Sequence, residues 1–244
     1  MPTANLLLAS LSPSDAAALF PHLKSVHLTQ QKVLFEAGDP IRAVYFPTSA
    51  IVSLVVALST GEMIEAAMVG RDGVVGAAAS LDGKISLSRA IVQLAGDAML
   101  CEVSTLKGAA MQSENLLSLL IRHEQTVYAQ AQQSTACMAT HHVEARLCRW
   151  LLPARDLARS DTLLFTQEFL AEMLGVRRTS VSVVAHTLQQ AGMIKYRRGK
   201  IEILNVEGLE ESACECYGTV NSHYRALLGP PPQIKSRPQE PCVR

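Results

Sequence analysis

Apolar positions along the chain change period several times, and each change predicts a different kind of element. Between residues 11 and 24, Ala16, Leu19, Phe20 and Leu23 fall on one helical face behind the start signal Ser12-Pro13-Ser14-Asp15. From Val26 to Val103 the helical period gives way to short apolar runs. Val33-Leu34-Phe35, Ala43 to Phe46, Ile51 to Leu58, Met63 to Val69 and Ala90 to Leu94 read as strands. The turns between them are Gly38-Asp39-Pro40, Thr60-Gly61, Gly70-Arg71-Asp72-Gly73, Asp82-Gly83 and Gly96-Asp97. Strands at this close spacing point to a sandwich, jelly roll or barrel. Near Ser113 the helical period returns. Leu117, Leu120, Glu124, Val127, Ala131, Ser134 and Met138 recur at alternating steps of three and four, a heptad seam without Gly or Pro. The seam predicts a dimer helix shared between the β-domain and a second copy; a helix lying only on its own β-domain is the plainer alternative. A further helix is expected from His141 or His142 to Leu152, broken at Pro153.

The segment from Gln167 to His186 is the most informative. Two helices crossing steeply over a tight turn require apolar residues in a shared core, a small residue at closest approach and a turn residue tolerant of positive φ. Leu170, Leu174, Val176, Val181 and Val184 fill the core, Ala171 is the small residue, and Gly175 makes the turn. Thr166 can cap the first helix. The second helix exposes Arg177, Arg178, Thr179 and Ser182, with Val183 and His186 beside them. A recognition helix sets such residues against base edges in the major groove. Ala191-Gly192 ends it, and two alternating runs, Met193 to Tyr196 and Lys200 to Leu204, flank Arg197-Arg198-Gly199. That is a hairpin with a basic tip, or wing, placed to touch phosphate.

Charge sharpens this picture. The chain of 244 residues has a formal net charge of zero. Yet residues 175–200 carry six basic residues (Arg177, Arg178, Lys195, Arg197, Arg198, Lys200) and no acidic one. A neutral protein with one basic segment can address phosphate locally. The length predicts two domains and a connector, and 48% hydrophobic residues can form a core. No segment reads as a membrane span or signal peptide, so a cytoplasmic protein is expected. The cysteines are scattered, no Cys-x-x-Cys occurs, and Cys214-Glu215-Cys216 is tighter than usual zinc spacing. They read as reduced structural thiols. His141 and His142 read as surface residues, because successive histidines on a helix point about 100° apart. No metal and no cofactor are expected.

The run Leu170-Ala171-Glu172-Met173-Leu174-Gly175-Val176-Arg177-Arg178-Thr179-Ser180-Val181 and the later Leu188-Gln189-Gln190-Ala191-Gly192-Met193-Ile194 resemble the Crp/Fnr superfamily of bacterial regulators. The N-terminal half is similar to that family's cyclic-nucleotide-binding-like β-roll at Leu34 to Pro40 and Val44-Tyr45-Phe46-Pro47. The resemblance covers about residues 20–220. It implies an α+β chain with a jelly-roll-like β-domain (1–112), a dimerisation helix (113–142) and a winged helix-turn-helix (143–228), while the Pro-rich, polar tail (229–244) is expected to be disordered on its composition. It implies a homodimer on a palindromic operator of double-stranded DNA, a small-molecule effector, and RNA polymerase as a candidate further partner. Arg178 matches the position that reads guanine in the family. Thr179 stands where Glu is frequent and Val183 where Arg is frequent, so a different operator is expected.

The expected assignments follow. Arg178, Thr179 and Ser182 read bases; Arg177, Arg197, Arg198 and Lys200 meet phosphate. Leu117, Leu120, Val127, Ala131 and Met138 pair the dimer helices. The effector pocket would include Gly76, Ala77, Ser88 and Arg89. The family's cyclic-AMP cassette carries a Gly-Glu pair and an Arg-Ser or Arg-Thr pair. Here Ala77 replaces the carboxylate, and Ser88 precedes Arg89. A one-residue shift in a strand turns a side chain to the other face, and an insertion in the preceding loop would turn it back. Both readings of Arg89 stay open, and cyclic AMP is not expected to bind in the usual way. An enzyme of cupin type is disfavoured, because no His lies between His27 and His123 to ligate a metal in the β-domain. The competing non-enzymatic reading is an effector-independent DNA-binding protein whose roll serves protein–protein interaction.

Overall fold

The computed structural model describes residues 4–229. The expected tail lies almost wholly outside these residues. The chain begins with two short helices, α1 (Leu6–Ala9) and α2 (Pro13–Leu19). Ser12 caps α2 by accepting from the Asp15 amide, and a 3-10 turn from Phe20 to His22 ends the helix earlier than residue 24. Asn5 caps α1 and donates its side-chain amide to the carbonyls of Pro47 and Gly73, tying the N-terminus to the β-domain.

Seven strands follow: β1 (Lys24–Leu28), β2 (Val33–Phe35), β3 (Ala43–Pro47), β4 (Ile51–Ala57), β5 (Met63–Val69), β6 (Arg89–Leu94) and β7 (Gly96–Glu102). They form two antiparallel sheets of order β1-β7-β3 and β2-β6-β4-β5. Leu28, Phe35, Val52, Val69, Val75, Ala90, Val92 and Ala98 fill the space between them. Gly96-Asp97 is not a turn: it opens β7 and pairs with Leu28 and His27. A Cβ at Gly96 would meet the Ala50 backbone nitrogen at 2.5 Å, so the glycine permits a close approach of two backbone segments.

The roll is closed by α3 (Val103–Gln112), and α4 (Glu114–Thr140) then runs past it with Ser113 as its N-cap. α5 extends from Val143 to Ala158 and continues through Pro153. The expected break at Pro153 does not occur. Leu151, Leu152 and Ala154 on both sides of it are fully buried, and that burial outweighs the roughly 3 kcal/mol a mid-helix proline costs. The winged domain adds β8 (Thr162–Leu163), α6 (Gln167–Leu174), α7 (Arg178–Gln190), β9 (Ile194–Arg197) and β10 (Lys200–Ile203), its sheet ordered β8-β10-β9. Two helices not expected from the sequence end the described chain, α8 (Val206–Ser212) and α9 (Cys216–Leu228). α9 turns back and packs along α4, and its Tyr224 hydroxyl donates to the Asp72 carbonyl of the roll.

The two halves share one core. Ile51, Val55 and Met68, on the outer face of the four-stranded sheet, join Trp150, Phe165, Met173, Leu174 and Ile201 of the winged domain. At the centre of this junction Glu65 is buried and accepts from Ser53 Oγ (2.5 Å) and Trp150 Nε1 (2.9 Å). Burial pushes its carboxyl up to about 7, against the opposing effects of Ser53, Arg149 and Trp150. Trp150 also meets Phe165 edge-on at 4.9 Å between ring centres.

Candidate nucleic-acid interface

The helix-turn-helix is built by local capping. Thr166 Oγ1 accepts from the Phe169 amide at 3.1 Å and starts α6. Gly175, at φ +59°, ends it, and the Val176 amide returns to the Ala171 carbonyl at 3.0 Å in a Schellman-type closure. The Arg146 guanidinium, itself buried, donates to the Leu174 carbonyl and satisfies another helix-end acceptor. Gly175 has a second duty: a Cβ there would press on Ile64 of β5 at 3.1 Å, so the turn rests on the roll.

Leu170, Ala171, Leu174 and Val181 are buried, while Val176 and Val184 are half-buried at the edge of the same core. Met173, Ala185 and Leu188 complete it. They were legible as helical repeats, Ala185 and Leu188 lying one turn and two turns beyond Val181.

The opposite face of α7 is open. Arg177, Arg178, Thr179, Val183 and His186 are exposed, Val183 to 67%. α7 starts at Arg177 with no side-chain cap, so its positive end faces outward, where an anion can approach. Ser182 is half-buried and donates to Gln167 Oε1 at 2.6 Å. Arg178 Nε lies 3.6 Å from Glu168 Oε2, and both side chains are about two-thirds exposed. An exposed pair of this kind is cheap to open.

The wing turns at Arg198 (φ 49°) and Gly199 (φ 78°), two successive positive-φ residues that suit a two-residue hairpin. Ile194, Ile201 and Ile203 point into the core, while Lys195, Arg197, Arg198 and Lys200 are exposed. The register sets Arg197 directly opposite Lys200. Like charges so placed oppose hairpin formation, and an anion between them removes that opposition. Gln189 Oε1 accepts from the Tyr196 amide at 2.9 Å and fixes the wing beside α7.

In the roll, the expected pocket residues do not converge. Ala77 is buried beneath α3 and α4 with Val74, Leu106 and Leu120, and Gly76 has φ +87° and abuts Ile41 and Phe35. Ala90 and Val92 face the interior, whereas Arg89 points outward, donating to Glu36 Oε2 at 2.7 Å and reaching Met63 Sδ at 3.2 Å. Arg89 is thus spent on a carboxylate outside the roll, and the Ser88 carbonyl accepts from Ser86 Oγ at 2.6 Å.

The heptad seam of α4 is used mainly within the chain. Leu120 is fully buried in the core under α3, Leu117 packs against that core, and Val127 packs against the roll interior. Leu120 is therefore no candidate for a dimer contact: its whole surface is enclosed by its own chain. Ala131 and Met138 are half-buried. His141 is not inside a helix but at the corner between α4 and α5, and Cys137, Cys214 and Cys216 surround it.

Residues 145–212 match the family described as the Crp-like helix-turn-helix domain. The described chain as a whole shares its fold with solved regulators of the Crp/Fnr family. Its similarity reaches beyond the matched domain. Global nitrogen regulators from Synechocystis sp. and Nostoc sp. are each 24% identical to it, over 75% and 82% of this chain and 85% and 94% of those relatives. FixK2 from Bradyrhizobium japonicum has the same fold at a TM-score of 0.68 with 16% identity, covering 79% of this chain and 98% of that protein. A putative Crp/Fnr-family regulator from Eubacterium rectale superposes at 0.66 with 17% identity, covering 86% and 98%. No described helix is long and apolar enough to cross a membrane.

Proposed function

We propose that this Crp/Fnr-type transcription regulator binds double-stranded DNA as a homodimer on a palindromic operator, α7 in the major groove and the wing on the flanking phosphates. The observation that carries this reading is the free, acid-poor surface made by Arg177, Arg178, Lys195, Arg197, Arg198 and Lys200 on elements otherwise packed into a core. Arg178, Thr179 and Ser182 read bases; Arg177, Arg197, Arg198 and Lys200 bind phosphate. Val183 adds an apolar contact suited to a thymine methyl.

The dimer forms along the α4 face that the chain leaves uncovered. Ile121, Gln125, Tyr128, Gln132 and Thr135 follow one another at steps of four and three and are all exposed, with Leu117 and Ala131 at the margin. This stripe is turned one position from the seam expected from sequence. Arg89, engaged with Glu36 outside the roll, does not receive a cyclic phosphate, so the roll does not take cyclic AMP in the family's usual way.

Selection of bound sites from a random DNA pool tests the whole reading. An inverted repeat with half-sites about 34 Å apart, or one helical turn, is expected. A single half-site, or no enrichment, overturns it. Sedimentation of Ile121→Glu and Tyr128→Glu should show monomers; unchanged dimers in both displace the proposed face.

A further inference from the structure

Four ligating side chains from two distant parts of the chain meet beside the α4–α5 corner. Cys137 comes from the last turn of α4 and His141 caps that helix, while Cys214 lies in the turn between α8 and α9 and Cys216 opens α9. Their Sγ and imidazole nitrogen atoms all lie within 4.8 Å of one another. Cys137 Sγ is 3.5 Å from Cys214 Sγ, and Cys216 Sγ is 3.6 Å from His141 Nδ1.

The 3.5 and 3.6 Å separations match those around one tetrahedral ion. Bonds of about 2.3 Å to sulfur and about 2.0 Å to nitrogen place ligand atoms roughly 3.5–3.8 Å apart across a tetrahedral angle. The surroundings fit as well. His141 Nε2 lies 3.2 Å from Glu215 Oε2, so the nitrogen turned away from the thiols meets a carboxylate, the arrangement that orients a metal-bound histidine and raises its basicity. Gln133 Nε2 donates to Cys216 Sγ at 3.0 Å. Arg146 and Arg149 lie close enough to act electrostatically on Cys137. Three thiolates, a neutral imidazole and a divalent cation sum to one negative charge, which a buried site must offset, and these guanidiniums offset it. The three cysteines are buried in a small cluster of their own, apart from the main cores.

We propose that Cys137, His141, Cys214 and Cys216 bind a zinc ion. Four protein ligands close the coordination sphere, so the ion is a structural clip rather than a catalytic centre. Its place gives it a specific task. It fastens the α8–α9 turn to the end of α4, and so holds α9 along α4 and the winged domain against the roll. Sulfur-rich donor sets favour zinc among abundant divalent ions. The tight Cys-x-Cys spacing is no obstacle: the backbone turns there, the Tyr217 amide bonding back to the Cys214 carbonyl at 3.2 Å, and both thiols reach the same cluster.

Elemental analysis of the full-length protein, purified under reducing conditions without chelator, should find about one zinc per chain. After dialysis against chelator, added Co(II) should give the thiolate charge-transfer and d–d bands of a tetrahedral sulfur-rich site. Cys214→Ala and Cys137→Ala should lose both signals, whereas Cys101→Ala in the roll keeps them. Glu215→Gln keeps all four ligands and should weaken metal affinity about 10–100-fold, the usual outer-sphere effect. Removal of the ion should speed amide exchange in α9 more than in α7. Folded, reduced wild-type protein that holds no stoichiometric metal and gives no cobalt bands overturns the proposal. So does a Cys137–Cys214 disulfide in protein isolated with its thiols trapped.

Discussion

The winged domain has two faces that obey opposite rules. One, carrying α7 and the wing, is basic and exposed and leaves its charges without a buried partner. The other, carrying Trp150, Phe165 and Met173, is pressed on the outer sheet of the roll and closes over a single buried carboxyl, Glu65. A surface meant for a polyanion keeps its hydration until the partner arrives. A surface meant for the chain itself gives it up on folding, so each polar atom left there needs an internal partner. Mutations should therefore act on ligand binding at the first face and on stability at the second.

The largest effect is expected at Trp150. Trp150→Ala removes a buried ring and one donor to Glu65, and should cost about 3–5 kcal/mol in denaturant unfolding. A cost under about 1 kcal/mol would show that the two halves do not share a core in solution.

Glu65 should make the junction sensitive to pH. Its carboxyl titrates near 7 when folded and near its ordinary value of 4.5 when unfolded, so the folded state holds the extra proton between those values. Stability is then greatest below about pH 4.5 for this group, falls as pH rises through 7, and levels off above. The loss is on the order of a few kcal/mol at most. Trp150 is the chain's only tryptophan, so its fluorescence reads the junction directly. A transition near pH 7 should vanish in Glu65→Gln; a transition that persists belongs to another group.

On the open face the expected changes are smaller and leave stability alone. Arg178→Ala should lose about 1–3 kcal/mol of discrimination between specific and random DNA, because a bidentate contact to guanine is lost. Equal losses on both would make Arg178 a phosphate contact. Arg197→Ala should weaken binding to every sequence and lower the salt slope by about one, with an unchanged melting temperature. A change in sequence preference would instead place the wing in a groove.

The two faces were not equally legible. The helix-turn-helix is a local object: Leu170, Ala171, Gly175, Val176 and Val181 lie within twelve residues, and the turn needs nothing distant to form. The wing is likewise local, since the Arg198-Gly199 turn pairs strands only a few residues apart. Short apolar runs bounded by turn residues located β2 to β6, whatever strand each one pairs with.

Tertiary structure alone decided which apolar surface met which. The heptad period of α4 was in the sequence, but a period does not say what covers it. The roll and α3 cover Leu117, Leu120 and Val127, and the uncovered stripe through Ile121 and Tyr128 appears only after they have packed. Pro153 stays in a helix because the burial of its neighbours outweighs a local penalty. Arg89 could be placed outside the roll only when the register of β6 against β4 was known. Cys137 and Cys214 are 77 residues apart in sequence and 3.5 Å apart in space, a proximity created by α9 folding back on α4. Sequence determines what is settled within a turn or two of chain, where the backbone's own geometry limits the choices; contacts that close long loops are settled by the packing of the whole.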